Sequence, residues 1–250
     1  MKTTPTSNPV AGKTSAAAGS TDPAAAHAGT GPRPDPKATG LLAGPDPLTW
    51  SFVGDSVTAA GWHTWGSRGY AELFHERLRE LGRVRDTVIN TAVSGWRIDD
   101  IRDELEQICL RHAPDVVVIG TGLNDTRGGA EGVAAFGATY RGVIDRLHRE
   151  SGAVVVVQTP NDTLPTAPDH VVAHLDAYAE EIRSIAAEAP VVFIDHLAHW
   201  RATAENTTFH WLGHGCHPNA YGHRAMARTF IQAFGAWDPE GSRVARLTLP

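Results

Sequence analysis

The stretch TWSFVGDSVTAAG, Thr49 to Gly61, decides how the rest of the chain is read. TWSFVG is short, rich in aromatic and β-branched residues, and runs directly into an acid, a serine and a series of small side chains. A run of that length and character is a buried strand rather than a helix, and the small polar residues after it mark a tight strand-to-helix turn.

Four more runs of the same kind follow: TVINTAV (87–93), DVVVIGTG (115–122), AVVVVQTP (153–160) and VVFID (191–195). Between them the apolar residues recur at helical spacing. Tyr70, Leu73, Phe74, Leu78 and Leu81 form one stripe, Ile98, Ile101, Leu105 and Ile108 a second, and Val133, Phe136, Tyr140, Val143 and Leu147 a third. Segments 169–188 and 219–235 continue the pattern. Strand and helix in alternation predict an α/β fold with a parallel sheet covered on both faces. In such sheets a ligand site lies beyond the carboxyl ends of the strands.

The unusual residues fall at those ends. The first strand enters GDSVT, the second ends in SGW (94–96), the third in GTGLND (120–125), and LGHGCHPNAYGH (212–223) follows the last strand. A serine at a tight turn exposes its Oγ and offers its own N–H to a neighbouring ligand. Gly95 lets a second N–H come close, and the Asn124 amide adds a third donor. Together these are the parts of an oxyanion hole, and His217 is the general base that Ser56 needs at neutral pH. The alternative reading of Ser56 is a helix N-cap, that of Asn124 and Asp125 a turn, and that of Gly95 a positive φ.

GDSVT (54–58), Gly95 within NTAVSGW, Asn124 within GTGLND and His217 within HPNAYGH, in this order, resemble the four blocks of the SGNH, or GDSL, hydrolases. The resemblance covers roughly residues 48–236. It implies a flavodoxin-like three-layer α/β/α fold with a mostly five-stranded parallel sheet, and a metal-independent serine esterase with Ser56 as nucleophile. It also implies an oxyanion hole of Ser56 N–H, Gly95 N–H and Asn124. One position departs from the family pattern: D-x-x-H, whose aspartate orients the base, has His214 in its first place. Three accounts of that gap stand open. A Ser56–His217 dyad is held by a carbonyl or by neutral His214; a carboxylate comes from elsewhere, Asp195 being nearest by topology; or the site binds a ligand without turnover.

Trp62, Trp65, Trp96 and Trp211 flank these blocks and are expected either to line a substrate pocket or to pack loops. They point to a small or carbohydrate O-acyl ester, with an acyltransferase using the same residues as the alternative. His210, His214 and His217 would share a face only on a helix, yet Gly213, Gly215 and Pro218 argue for a loop. Zinc-site signatures are absent as well, so neither metal nor cofactor is expected.

Composition bounds the remainder. The 250 residues are 42% hydrophobic and 20% charged, enough for one sizeable core, and a net charge of −6 gives no basic field for nucleic acid. Two cysteines make no disulfide framework. Residues 1–45, poor in aromatic and branched aliphatic side chains, read as a disordered tail, 46–237 as the hydrolase domain and 238–250 as a C-terminal tail. No apolar run follows Lys2 as a secretory signal would require, and no stretch is long enough for a membrane span. A cytoplasmic location is the expectation, secretion the alternative. Nothing in the pattern sets an oligomeric state.

Overall fold

The computed structural model describes residue 1, residues 34–203 and residues 205–247, the side chains of 205 and 206 excepted. The chain divides into two units, Met1–Thr30 and Gly31–Pro250, and all that follows concerns the second. In chain order its elements are α1 (Pro36–Ala43), β1 (Thr49–Gly54), α2 (Ser56–Ala59), α3 (Tyr70–Glu80), β2 (Thr87–Asn90), α4 (Ile98–Asp103), α5 (Leu105–Ile108) and β3 (Val116–Gly120). They continue with α6 (Val133–Glu150), β4 (Val154–Gln158), α7 (Asp169–Glu188), β5 (Val192–Ile194), α8 (His196–Ala202), α9 (Glu205–Thr208), β6 (Leu212–His214), β7 (His217–Pro218), α10 (Ala220–Ala233) and α11 (Arg243–Leu247).

Strands β1 to β5 form one sheet in the order β2-β1-β3-β4-β5, parallel throughout. Every connection is therefore a crossover that lays helices over a face. On one face Trp50 and Phe52 of β1 and Val116 and Val118 of β3 meet Tyr70, Phe74 and Leu78 of α3, Phe230 of α10 and Phe234 just after it. Trp50 and Phe74 pack edge to face with centroids 5.0 Å apart. On the other, Val53, Val117, Ile119, Val155 and Val157 lie under α4 to α7. This three-layer arrangement is the one expected, and its five strands coincide with the five apolar runs. No helix among the described residues is long and apolar enough to cross a membrane.

The differences lie at the ends of elements. The second strand stops at Asn90 rather than 93: its last register pair is with Phe52, two residues before β1 ends, although Val93 N–H still reaches Gly54 O. The stripe 98–108 is two short helices meeting at Glu104. The expected disordered tail lies mostly outside the described residues, but its end is helical. Asp35 caps α1 by accepting from Lys37 N–H (2.7 Å) and Ala38 N–H (3.3 Å), and Asp35 N–H donates to Ala233 O of α10 at 2.9 Å. At the other end, residues 243–247 pack as α11: Val244 and Ala245 are fully buried, and Val244 N–H donates to Glu80 Oε1 at 3.1 Å.

Beneath the carboxyl end of the sheet the core is polar. Tyr70 Oη lies 3.1 Å from Thr58 Oγ1 and accepts from Gln158 Nε2 at 2.5 Å, while Gln158 Oε1 meets His196 Nε2 at 2.9 Å. His223 of α10 stacks on Tyr70; it is fully buried, and neither ring nitrogen finds a partner among the described residues. Burial, helped by the nearby His63 and His217, pulls its pKa from 6.5 to about 3. Between those values the unfolded chain binds the proton and the native chain does not, so stability falls as pH drops below 6.5. Between pH 8 and pH 5, urea denaturation should therefore show the native chain losing about 2 kcal/mol more stability than His223→Leu. Parallel curves for the two proteins would contradict a neutral buried imidazole.

Candidate active site

β1 ends at Gly54, where Asp55 N–H donates to Gly120 O, at the end of β3, over 3.1 Å. A side chain at Gly54 would collide with that carbonyl and with Thr58, so glycine is required for the turn to settle on the neighbouring strand. Asp55 caps α2 by accepting from Val57 N–H at 2.9 Å. Its carboxyl is pushed up to about 7 by burial, with Asp125 adding to the rise and the backbone donors opposing it. Ser56 thereby becomes the first residue of α2, where its N–H has no intrahelical partner. Its Oγ lies 2.8 Å from His217 Nε2.

The second block is fixed by Val93 N–H, which donates to Gly54 O at 3.0 Å. Gly95 then adopts φ +88°, a left-handed conformation that glycine enters without strain. Its N–H donates to no other group among the described residues. Asn124 Nδ2 donates one hydrogen to Trp96 O at 3.1 Å, leaving the second for a ligand. Asp125 does more than turn the chain. Its buried carboxylate accepts from Ile98 N–H (2.8 Å), Thr121 Oγ1 (2.9 Å) and Gly122 N–H (2.9 Å), which sets the Asn124 loop against the start of α4 and hence against Gly95. Burial raises the Asp125 pKa, and those same donors oppose the rise.

His217 sits on the short antiparallel hairpin β6–β7, where it is the register partner of His214. Asn219 fastens the hairpin to α10. Its Oδ1 caps Tyr221 N–H and Gly222 N–H at 2.9 and 3.2 Å, and its Nδ2 donates to His210 O at 2.8 Å. The segment after β4 holds the other side, with Leu164 N–H to Gly215 O at 2.7 Å and Asn161 Nδ2 to Cys216 O at 3.1 Å. The ring of His63 lies flat on that of His217, centroids 3.6 Å apart and planes 11° from parallel. His63 rides on a loop bracketed by left-handed Ala60 and Trp65 and pinned by Thr64 Oγ1 to Ser67 O at 2.6 Å. Burial first, then the neighbouring His63 and His214, pull the His217 pKa down to about 4. The ring is therefore neutral at pH 7, as a base must be.

Ser56 and His217 are thus brought together, and hydrogen bonds tie the Gly95 and Asn124 loops to the same edge. The orienting residues are not as expected. Asp195 does not reach His217: its Oδ2 accepts from Arg183 Nε at 2.7 Å, and its Oδ1 from Thr159 Oγ1 (3.0 Å) and Ala198 N–H (2.9 Å). Burial works against the charge, but these bonds outweigh it and hold the carboxyl below its usual pKa, so it serves as an ion-paired cap of α8. His214 Nε2 points to His63 Nδ1 at 3.5 Å rather than hydrogen-bonding His217. Facing His217 Nδ1 is Cys216 Sγ at 3.5 Å.

The tryptophans also divide. Trp211, 5% exposed, packs against Trp200 and belongs to the core, which corrects its place in a pocket. Trp96 is half-buried against the cluster beneath α4. Trp62 and Trp65 are 85% and 93% exposed. Among the histidines the expected trio changes: His63, His214 and His217 offer ligand atoms all within 4.8 Å of one another, and His210 is not in that group. Sequence spacing could not find His63, because a stack between distant loops leaves no periodic signal.

The profile of the GDSL-like lipase/acylhydrolase family matches residues 52–225. Among solved structures, an acetyl xylan esterase is 25% identical with a TM-score of 0.62, over 74% of this chain and 99% of that one. An acetylxylan esterase of Geobacillus stearothermophilus is 22% identical with a TM-score of 0.62, over 75% and 94%. A protein of Parabacteroides merdae named a GDSL-like lipase is 21% identical with a TM-score of 0.67, over 76% and 97%. An uncharacterized protein of Mycoplasma pneumoniae is 32% identical over 121 residues; the match takes in 43% of this chain and only 13% of that relative's length.

Covalent labelling tests the pair directly. An organophosphonate should add to Ser56, fail on Ser56→Ala and slow severely on His217→Ala. The rate should fall on the acid side near pH 4, where His217 takes a proton, rather than near the 6.5 of a free imidazole. His63→Ala, by exposing that ring and removing a repelling neighbour, should move the limb upward.

Proposed function

This chain belongs to the GDSL-like lipase/acylhydrolase family, and we propose that it is a serine esterase acting on small or carbohydrate O-acyl esters through an acyl-enzyme. The observation that carries the proposal is the 2.8 Å contact of Ser56 Oγ with His217 Nε2, made beside N–H groups of Ser56 and Gly95 that donate to nothing else among the described residues. Ser56 attacks the ester carbonyl while His217 Nε2 takes the hydroxyl proton. The negative charge that develops on the carbonyl oxygen meets Ser56 N–H, Gly95 N–H and the free hydrogen of Asn124 Nδ2. Collapse expels the alcohol, which receives the proton from His217. Water, deprotonated by the same imidazole, then attacks the acyl group and releases the acid.

His217 works here as the base of a dyad. Its face is held by the His63 stack and its loop by Asn219; no carboxylate hydrogen-bonds its Nδ1 among the described residues. The carbohydrate part of the proposal is supported by the two exposed tryptophans on the loop after α2, since flat indole faces stack on sugar rings, and by the names of the acetylxylan esterases of the same fold.

A panel of acetyl, butyryl and long-chain esters, with acetylated xylo-oligosaccharides included, should show turnover of the short-chain members, with free acid as the product even when an acceptor alcohol is present. Transfer to the alcohol would make the chain an acyltransferase instead. Asn124→Ala should lower kcat by about 10²–10³ with a smaller effect on KM. His214→Asp places a carboxylate opposite His217 and should raise kcat several-fold. A fall in kcat there would mean that His214 supports the base as it stands.

A further inference from the structure

We propose that His63, His214 and His217 form a binding site for a divalent late transition-metal ion such as Zn²⁺, and that its occupancy switches off the Ser56–His217 pair. Imidazole is the preferred nitrogen ligand of zinc, copper and nickel, and a magnesium or calcium ion would seek oxygen. The spacing of the nitrogens, though not the tilt of the rings, is near what coordination needs. Zn–N bonds of about 2.0–2.1 Å in a tetrahedron set neighbouring nitrogens about 3.4 Å apart. His63 Nδ1 and His214 Nε2 lie 3.5 Å apart, and one nitrogen from each of the three rings lies within 4.8 Å of one from each of the others. An imidazole ligand holds its metal in the plane of its own ring, so the stacked rings of His63 and His217, 3.6 Å apart and 11° from parallel, must swing apart to share the ion. His214 is exposed and the other two are half-buried, so an ion can enter and water can complete its shell. The three residues come from two loops, 60–66 and the β6–β7 hairpin, each pinned by its own hydrogen bonds, which limits the ordering that metal binding would otherwise require.

Coordination silences His217 whichever nitrogen it uses. Through Nε2, the metal takes the lone pair that accepts the Ser56 proton. Through Nδ1, the ring proton must reside on Nε2, which then donates where the reaction needs an acceptor. No electron is transferred; the ion competes with a proton for one lone pair. The coordination stands on geometry alone, whereas the inhibitory consequence rests on the esterase reading.

Two measurements on the untagged full-length chain separate the two. Zn²⁺ titrated by calorimetry at pH 7.5, with Co²⁺ as a visible-absorbance probe, should bind with 1:1 stoichiometry. His63→Ala, His214→Ala and His217→Ala should each weaken binding by at least about 10-fold, while His210→Ala, outside the cluster, should bind as the native chain does. In the second measurement, phosphonate labelling of Ser56 should slow in proportion to Zn²⁺ occupancy and recover on adding a chelator, a response that His63→Ala and His214→Ala should lose. Absent saturable binding below millimolar Zn²⁺, or binding indifferent to the three substitutions, the site does not exist. Undiminished labelling at full occupancy would remove the switch. Zinc binding with no labelling of Ser56 under any condition would leave the site standing and overturn the esterase instead.

Discussion

The site depends on a constraint at the carboxyl ends of β1 and β3. Gly54 and Gly120 are register partners, and neither position has room for a side chain, since each would drive a carbon into Thr58 Oγ1 and Gly54 would also strike its partner's carbonyl. That missing bulk lets Asp55 N–H bond to Gly120 O and lets α2 start within one residue of the strand. Ser56 is thus held by backbone geometry at the carboxyl end of an interior strand of the parallel sheet. Loops that would otherwise be free are then referred to it. Gly54 O receives Val93 N–H, and Thr58 O receives Asn90 Nδ2 at 2.8 Å.

Around that point the protein buries two carboxyl groups in unlike roles. Asp125 accepts three donors from two loops and works as a clamp. Asp55 has fewer donors, and its raised pKa of about 7 reflects burial that its cap bond does not offset. The base is arranged by a different principle. Ring-on-ring contact holds it, and burial first, then neighbouring imidazoles, lower the affinity of His217 and His63 for protons. In the proposed mechanism such a base would lose the pull of an anion on the imidazolium formed during attack, while its lowered pKa keeps it unprotonated in mild acid.

How far the sequence could be read follows from the range of each interaction. The five strands and the large helices were legible because their signal is local: Val116–Ile119 and Val154–Val157 are apolar on both faces, and the stripes of α3 and α6 repeat at helical spacing. Ser56, Gly95, Asn124 and His217 were legible as blocks lying at strand ends. What escaped is non-local. Nothing near Asp195 announces that Arg183 will claim it, nor does anything near Trp211 announce that Trp200 will cover it. α1 escaped because its composition resembles a tail, and only docking on α10 makes it worth ordering. His63 escaped because its partner is far away in the chain.

The hydrogen bond between Ser56 and His217 joins residues separated by 161 positions, and the hairpin that carries the base leans on residues 161–168 and on the start of α10. The nucleophile turn needs only β1 and β3, whereas the base needs nearly the whole domain assembled before its loop has anything to rest against. Closing so long a loop is entropically costly, and contacts of that range form late. On the proposed reading, the Ser56–His217 contact is therefore the part of the site that leans most on the C-terminal third of the polypeptide.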